Sequence, residues 1–223
     1  MIPRYPVYLF DIDGTLLDSA ADICGAQGEV LEAAGSAPVP FEVLRAYVGR
    51  ELRVVFGDLL PQASEAEIKQ LMQDYTLKYR SRKHAGTRVY PGAREALSEL
   101  SGRKSTATTK TTEGTRLVLE HFELLPYFDH VQGSEGLRYK PEPDVVLAAI
   151  QGLGAKPGEC LMVGDSPADM EAGRRAGVRI CAVRYGYGDP AELAKWAPDH
   201  WVSDLRELTG RQGTAPPLDI MVF

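Results

Sequence analysis

The sequence has few cysteines and histidines and no concentration of basic residues. Its 223 residues include three cysteines, Cys24, Cys160 and Cys181, without paired spacing, so we expect no disulfide framework. The four histidines are scattered singly, which argues against a zinc site. The net charge is −6 and Lys and Arg form no dense stripe, so we expect no nucleic-acid partner.

Long apolar runs are also absent. No segment approaches the length of a membrane span, and two aspartates interrupt the only early apolar run, so the N-terminus lacks the pattern of a signal peptide. We therefore expect a cytoplasmic protein with no membrane partner, present as a monomer or a weak homodimer. The length and a hydrophobic content of 44% suit a globular protein with a sizeable core.

That early apolar run ends abruptly in polar residues. Residues 7–10 are β-prone and apolar on both faces, as in a strand buried between helices. Asp11 and Asp13 follow at the strand end, where ligands of α/β proteins bind, and an extended backbone directs both carboxylates to one side. Gly14 permits a tight turn, and Thr15 offers a hydroxyl. Two such carboxylates can divide nucleophile and acid/base roles, although an isolated Asp-x-Asp-Gly is more often a surface turn.

A second apolar run ends in the same way. It covers residues 160–164, and Asp165, Ser166, Pro167 and Asp169 follow it. Pro167 is typical of the first position of a helix, which places Asp169 about one helical turn from Ser166 and directs it toward Asp165. Carboxylate oxygens gathered at two strand ends form the hard, oxygen-rich site that Mg²⁺ prefers. The two motifs together favour a functional site.

Two segments between these motifs add a hydroxyl and a lysine. Residues 104–110 are Thr-rich and predict a short strand that ends in hydroxyls, among them that of Thr108, before a helix that begins near residue 111. Hydroxyls and helix-start amides there can hold phosphate oxygens. Lys140 precedes two prolines in a stiff segment that leads into a predicted helix over 144–153. Taken alone, Lys140 is more typical of a solvated surface and Thr108 of a strand or cap.

The periodicity of the chain indicates an α/β core interrupted by a helical insertion. Between residues 15 and 88, apolar residues recur at helical spacing, including a run from Leu44 to Val55, and predict three or four helices with no convincing strand. Beyond residue 91, strands and helices alternate, which indicates a parallel sheet. The alternating segments are 93–101, 104–109, 112–122, 129–132, 144–153, 160–164, 167–176 and 178–183.

We therefore predict a Rossmann-like parallel-sheet core with a small all-helical cap inserted after the first strand. The core comprises residues 1–15 and 91–210, and the cap with its hinges comprises residues 16–90. The Gly- and Pro-rich residues 211–223 form a C-terminal tail.

The four motifs, in this order and spacing, resemble the haloacid dehalogenase superfamily, specifically its phosphatase branch with a helical cap. The resemblance implies that Asp11 takes up the phosphoryl group, and that Asp13 protonates the leaving oxygen and then activates water. It implies a phosphate-binding role for Thr108 and Lys140, with Gly14 and Thr109 beside them. Many relatives carry Asn at the position of Thr109, so one supporting contact differs here.

The resemblance also implies a Mg²⁺ cofactor. Its ligands are the carboxylates of Asp11 and Asp165 and the backbone carbonyl of Asp13, and Asp169 binds the metal directly or orients its shell. This arrangement agrees with the chemistry, because a phosphate dianion repels a carboxylate nucleophile until a metal and a lysine neutralise the charge.

The expected function is hydrolysis of a small phosphorylated metabolite through an aspartyl phosphate. Phosphoglycolate is favoured because chain length, cap size and Val48-Gly49 are similar to those of phosphatases acting on it. Arg50 and Arg53 in the cap are candidates for contacting the leaving group, although a solvated helix face is the commoner role of such residues. Two alternatives stay open at this point, a phosphosugar mutase resembling β-phosphoglucomutase and a non-hydrolytic phospho-accepting signalling domain.

Overall fold

A computed structural model describes residues 2–211, which form two compact units. One unit contains the N-terminal residues up to Leu16 together with the chain from Val89 onward, and the other is Leu17–Arg88. The predicted tail, apart from Arg211, lies outside the described residues. No helix among residues 2–211 is long and apolar enough to cross a membrane.

The first unit is built on a five-stranded parallel sheet with the order β4-β1-β5-β6-β7. The strands are β1 (Val7–Phe10), β4 (Arg103–Thr106), β5 (Cys160–Gly164), β6 (Arg179–Val183) and β7 (His200–Val202). β1 and β5 are buried along their whole length, as expected for central strands covered on both faces. The prediction of an α/β fold with a parallel sheet is confirmed.

Helices connect these strands. They are α5 (Ala93–Glu99), α6 (Thr112–His121), α7 (Asp144–Gly152), α8 (Pro167–Ala176) and α9 (Pro190–Ala194). Three of them, α6, α8 and α9, begin at a residue whose side chain caps the helix. The Thr111 hydroxyl caps α6 by accepting the Gly114 N–H, and Ser166 and Asp169 form a reciprocal capping box at the start of α8. α8 begins three residues after the end of β5, and α6 begins six residues after the end of β4.

The second unit is helical. It contains α1 (Ala20–Ala33), α2 (Phe41–Arg45), α3 (Leu52–Leu59) and α4 (Glu65–Ser81). Buried Asp22 on α1 accepts bonds from the Thr87 hydroxyl (2.7 Å), the Gly86 N–H (2.9 Å) and the Arg82 guanidinium (3.2 Å), which ties the two ends of this unit together. Ser64 and Glu67 form a capping box that begins α4.

Three details differ from the sequence-based predictions. The apolar run from Leu44 to Val55 is two helices and not one, because Gly49 between them takes a left-handed φ of 86°. Two short strands, β2 (Leu17–Asp18) and β3 (Arg88–Val89), pair where the chain enters and leaves the helical unit, although no strand was expected there.

The third difference is the predicted strand over 129–132, which is wrong. A single bridge joins Ser105 to His130. Beyond it, the Gln132 N–H and carbonyl bond the side-chain hydroxyl of Thr106 at 2.8 and 2.9 Å. At this position the segment bonds the hydroxyl of Thr106 and not its backbone, so it runs beside β4 without forming a strand.

Candidate active site

Asp11 and Asp13 lie at the carboxyl end of β1 and are almost completely buried, with 4% and 6% of their surfaces exposed. Gly14 follows with a left-handed φ of 87°. A Cβ at this position would lie 2.2 Å from Oδ2 of Asp165. Only glycine therefore permits Asp165 to approach the turn after β1, because any side chain here would be both strained and in collision.

The Lys140 ammonium joins three elements at this end of the sheet. Its Nζ donates to Oδ1 of Asp11 at 2.7 Å, to Oδ1 of Asp169 at 2.5 Å and to the Ala107 carbonyl at 3.0 Å. The Lys140 side chain is 2% exposed. Three acceptors satisfy the three donors of an ammonium group, which is the condition for burying this charge.

Asp165 and Asp169 follow β5 and are held by different neighbours. Oδ2 of Asp165 accepts the Tyr187 N–H at 2.7 Å, and its Oδ1 accepts the Thr15 hydroxyl at 3.3 Å. Oδ2 of Asp169 accepts the Ser166 N–H at 3.0 Å and the Ser166 hydroxyl at 2.6 Å. Since Lys140 bonds the other oxygen, both oxygens of Asp169 are engaged within the protein.

Burial and mutual repulsion shift the pKa values of these groups. Desolvation raises the pKa of Asp11 to about 7, assisted by the charges of Asp169 and Asp13 and opposed by that of Lys140. Desolvation together with Asp169 and Asp11 raises the pKa of Asp165 well above its ordinary value. Desolvation would lower the pKa of Lys140, but the attraction of Asp11 and Asp169 outweighs it and the pKa is raised.

The donor set suits a divalent cation. Oxygens of Asp11, Asp165 and Asp169 lie within 4.8 Å of one another, and all three residues are buried. With Asp13, four carboxylates lie here, and those of Asp11, Asp169 and Asp13 pair with the ammonium groups of Lys140 and Lys110. A hard cation would balance the negative charge that, in addition to desolvation, raises the pKa values of Asp11 and Asp165, so these residues fit Mg²⁺.

The Thr-rich segment after β4 runs beside this cluster. Thr108 is completely buried and follows Ala107, whose carbonyl bonds Lys140. The Thr108 hydroxyl accepts the backbone N–H of Lys110 at 3.3 Å, and the Thr109 carbonyl accepts the Ser134 hydroxyl at 2.7 Å. The strand ends at Thr106, earlier than predicted, so Thr108 lies on a loop.

Two contributions to the site were missed in the sequence. The Lys110 ammonium lies 3.0 Å from Oδ2 of Asp13, and the backbone of Tyr187 bonds Asp165. The position of Lys110 directly after the Thr108-Thr109 pair was a usable signal for the first. A backbone amide leaves no signal in a sequence pattern, so the second was not predictable.

Arg50 and Arg53, the candidates for substrate contact, both belong to the helical unit. Arg53 forms an ion pair with Glu65 at the start of α4. The Arg50 guanidinium stacks on the Tyr47 ring, with 5.1 Å between its central carbon and the ring centre. Both arginines thus have a contact inside the unit, and Arg50 is the better candidate of the two because the charge of Arg53 is paired with that of Glu65.

Comparison with known proteins identifies the family of this chain. The model of the haloacid dehalogenase-like hydrolase family matches residues 8–183, a span that includes every residue of the carboxylate cluster. The chain belongs to the haloacid dehalogenase-like hydrolases. The family resemblance drawn from the four sequence motifs is therefore confirmed.

Relatives of this haloacid dehalogenase-like hydrolase are similar over nearly their full lengths. Phosphoglycolate phosphatases from Nitrosospira multiformis and Agrobacterium fabrum are 34% and 33% identical to it over 210 and 215 residues. These matches cover 90% and 93% of this chain and 92% of each relative. A haloacid dehalogenase-like family hydrolase from Streptococcus pneumoniae superposes with a TM-score of 0.84 at 26% identity, over 92% of this chain and 97% of its own. This haloacid dehalogenase-like hydrolase is thus an enzyme, a phosphoric monoester hydrolase.

Proposed function

We propose that this enzyme hydrolyses phosphoglycolate or a closely similar small phosphomonoester, with Mg²⁺, through an aspartyl phosphate on Asp11. The observation that carries the proposal is the buried contact of Asp11 with Lys140 at the end of β1, beside a carboxylate cluster that fits a metal. The choice of substrate is supported by the phosphoglycolate phosphatases that are similar to this chain over nearly their whole lengths.

Asp11 is the proposed nucleophile. One of its carboxylate oxygens attacks phosphorus in line, a bond between that oxygen and phosphorus forms, and the ester oxygen–phosphorus bond breaks. Lys140 holds Oδ1 of Asp11 at 2.7 Å, which fixes the carboxylate and offsets the repulsion between it and the phosphate dianion. Water then attacks phosphorus in the aspartyl phosphate, which releases inorganic phosphate and restores Asp11.

Asp13 is the proposed acid and base. It lies two residues from the nucleophile at the same strand end. It donates a proton to the leaving ester oxygen in the first step and takes a proton from the attacking water in the second. Because Asp13 is not the nucleophile, its carboxyl is available for proton transfer in both steps.

Asp11, Asp165 and the backbone carbonyl of Asp13 are proposed to hold Mg²⁺. When bound, the ion neutralises charge on the transferring phosphoryl group. Asp169 is proposed to act through a water, because Lys140 and Ser166 already engage its two oxygens. Its capping box also fixes the start of α8 beside Asp165.

The phosphate oxygens are proposed to bind Thr108, Lys140, and the backbone around Gly14 and Thr109. The helical unit is proposed to act as a cap, with Arg50 contacting the carboxylate of the leaving group. A charge-assisted contact of this kind would select esters that carry a second anion.

Phosphate release from a panel of small phosphomonoesters, ranked by kcat/KM in the presence of Mg²⁺, tests this function. We expect phosphoglycolate to have the highest kcat/KM. We also expect a phosphoryl group on Asp11 that is hydrolysed within the time of one catalytic cycle. A long-lived aspartyl phosphate, or a kcat/KM for phosphosugars that exceeds that for phosphoglycolate, would contradict the proposal.

A further inference from the structure

Lys110 forms an ion pair with Asp13 that has no role in the steps of the proposed reaction. Its Nζ lies 3.0 Å from Oδ2 of Asp13. The Lys110 side chain is 15% exposed and the Asp13 side chain 6%, so the pair is largely shielded from water. An ion pair in such surroundings has a stronger orienting effect than one on the surface.

The backbone of Lys110 is held from a neighbouring loop. The Ser134 N–H donates to the Lys110 carbonyl at 2.9 Å, and the Ser134 hydroxyl donates to the carbonyl of Thr109 at 2.7 Å. The Lys110 N–H in turn bonds the Thr108 hydroxyl at 3.3 Å. The ammonium of Lys110 thus reaches Asp13 from an anchored main chain.

The two lysines of the site contact different carboxylates. Lys140 donates to Asp11 and Asp169, whereas Lys110 contacts Asp13. The nucleophile and the acid/base therefore each have a cation of their own. The contact of the Lys110 ammonium with Oδ2 of Asp13 restricts rotation of the carboxyl group.

We propose that Lys110 is a positioning residue for Asp13, a role that rests on the proposed function of Asp13 as acid and base. Proton transfer requires the carboxyl to lie within hydrogen-bond reach of the leaving oxygen, and small displacements of a catalytic group cost large factors in rate. The loss of kcat/KM on removal of Lys110 should therefore depend on the leaving group. An alkyl ester needs a proton on its departing oxygen, whereas an aryl ester with an electron-withdrawing ring departs without one.

The test compares kcat/KM of Lys110→Met for phosphoglycolate and for para-nitrophenyl phosphate. Acid/base catalysis contributes about 10²–10⁴-fold, so we expect a loss of about tenfold or more with the alkyl ester and of less than about threefold with the aryl ester. Lys110→Arg keeps the cation and should restore part of the alkyl activity. If Lys110→Met does not fold, the same measurements are made on Lys110→Gln.

Two controls separate this role from others. Lys195→Met removes an exposed lysine that pairs with Glu192 on α9 and should leave kcat/KM for both esters unchanged. In an Asp13→Asn background, Lys110→Met should cause no further selective loss, because both changes act through one carboxyl.

Three results would overturn the positioning role. The first is an equal loss of kcat/KM with both esters, which would indicate that Lys110 binds the phosphate itself. The second is no loss of kcat/KM with either ester. The third is a loss in the double variant that equals the sum of the two single losses. Full activity of Asp13→Asn alone would instead refute the proposed function.

Discussion

The Lys140 ammonium lies 2.7 Å from Oδ1 of Asp11, in a pair whose side chains are 2% and 6% exposed. The same ammonium bonds Asp169 from the start of α8. One cation therefore joins the loop before α7 to the end of β1 and to the start of α8. Removing it affects both the stability of this region and the proposed chemistry.

Lys140→Met should accordingly lower stability and abolish turnover. Breaking a buried ion pair leaves uncompensated charge and costs about 3–5 kcal/mol. Chemical denaturation measures this loss, and Lys195→Met, which removes an exposed ion pair, should cost about 1 kcal/mol or less. Equal stabilities of the two variants would show that Lys140 does not support the cluster.

Substitution of the two aspartates that follow β1 should separate their roles in the reaction. Asp11→Asn removes the nucleophile and should abolish turnover with the fold intact, as judged by circular dichroism. Asp13→Asn keeps the nucleophile and should slow both the formation and the decay of the aspartyl phosphate, measured by rapid quench. Near-native activity of Asp11→Asn would contradict the covalent mechanism.

The stability of the metal-free enzyme should depend on pH through Asp11. Its pKa is raised from 3.8 to about 7, chiefly by desolvation, so the folded state binds a proton that the unfolded state releases. The free energy of unfolding therefore falls as pH rises from about 4 toward about 7. Mg²⁺ competes with that proton and should raise the thermal midpoint more at about pH 8 than at about pH 5.

Asp165→Ala is the matched variant for this measurement, because it removes a proposed metal ligand and leaves Asp11 and Lys140 in place. We expect it to reduce the Mg²⁺-dependent rise in midpoint and to increase the Mg²⁺ concentration needed for activity. EDTA should abolish the phosphatase activity of the unmodified enzyme. Undiminished activity in EDTA would reject the metal assignment.

Arg50→Ala should discriminate between substrates. If Arg50 contacts a carboxylate on the leaving group, its loss should reduce kcat/KM for phosphoglycolate about 10- to 100-fold, and much less for an aryl phosphate without a second anion. Arg45→Ala removes another arginine of the helical unit, one that pairs with Glu42, and should leave both substrates unaffected. Equal losses with the two esters would exclude Arg50 as a specificity residue.

The sequence by itself determined the main strands of the sheet and the residues around which the proposed site is built. Asp11 and Asp165 each follow a run of apolar residues, and parallel strands bring their carboxyl ends to one edge. Local pattern was sufficient there, because burial on both faces makes β1 and β5 continuous apolar runs. The start of α8 at Pro167 was likewise predictable from its capping residues.

Only the tertiary structure decided how these residues are partnered. Three contacts depend on the paths of loops distant in sequence: that of Lys110 with Asp13, that of the Tyr187 amide with Asp165 and that of Lys140 with Asp169. The same holds for β7 and for the segment around His130, whose hydrogen-bonding partners lie on other elements. Local periodicity reports which face of an element is buried, whereas the identity of a partner is set by the packing of the whole chain.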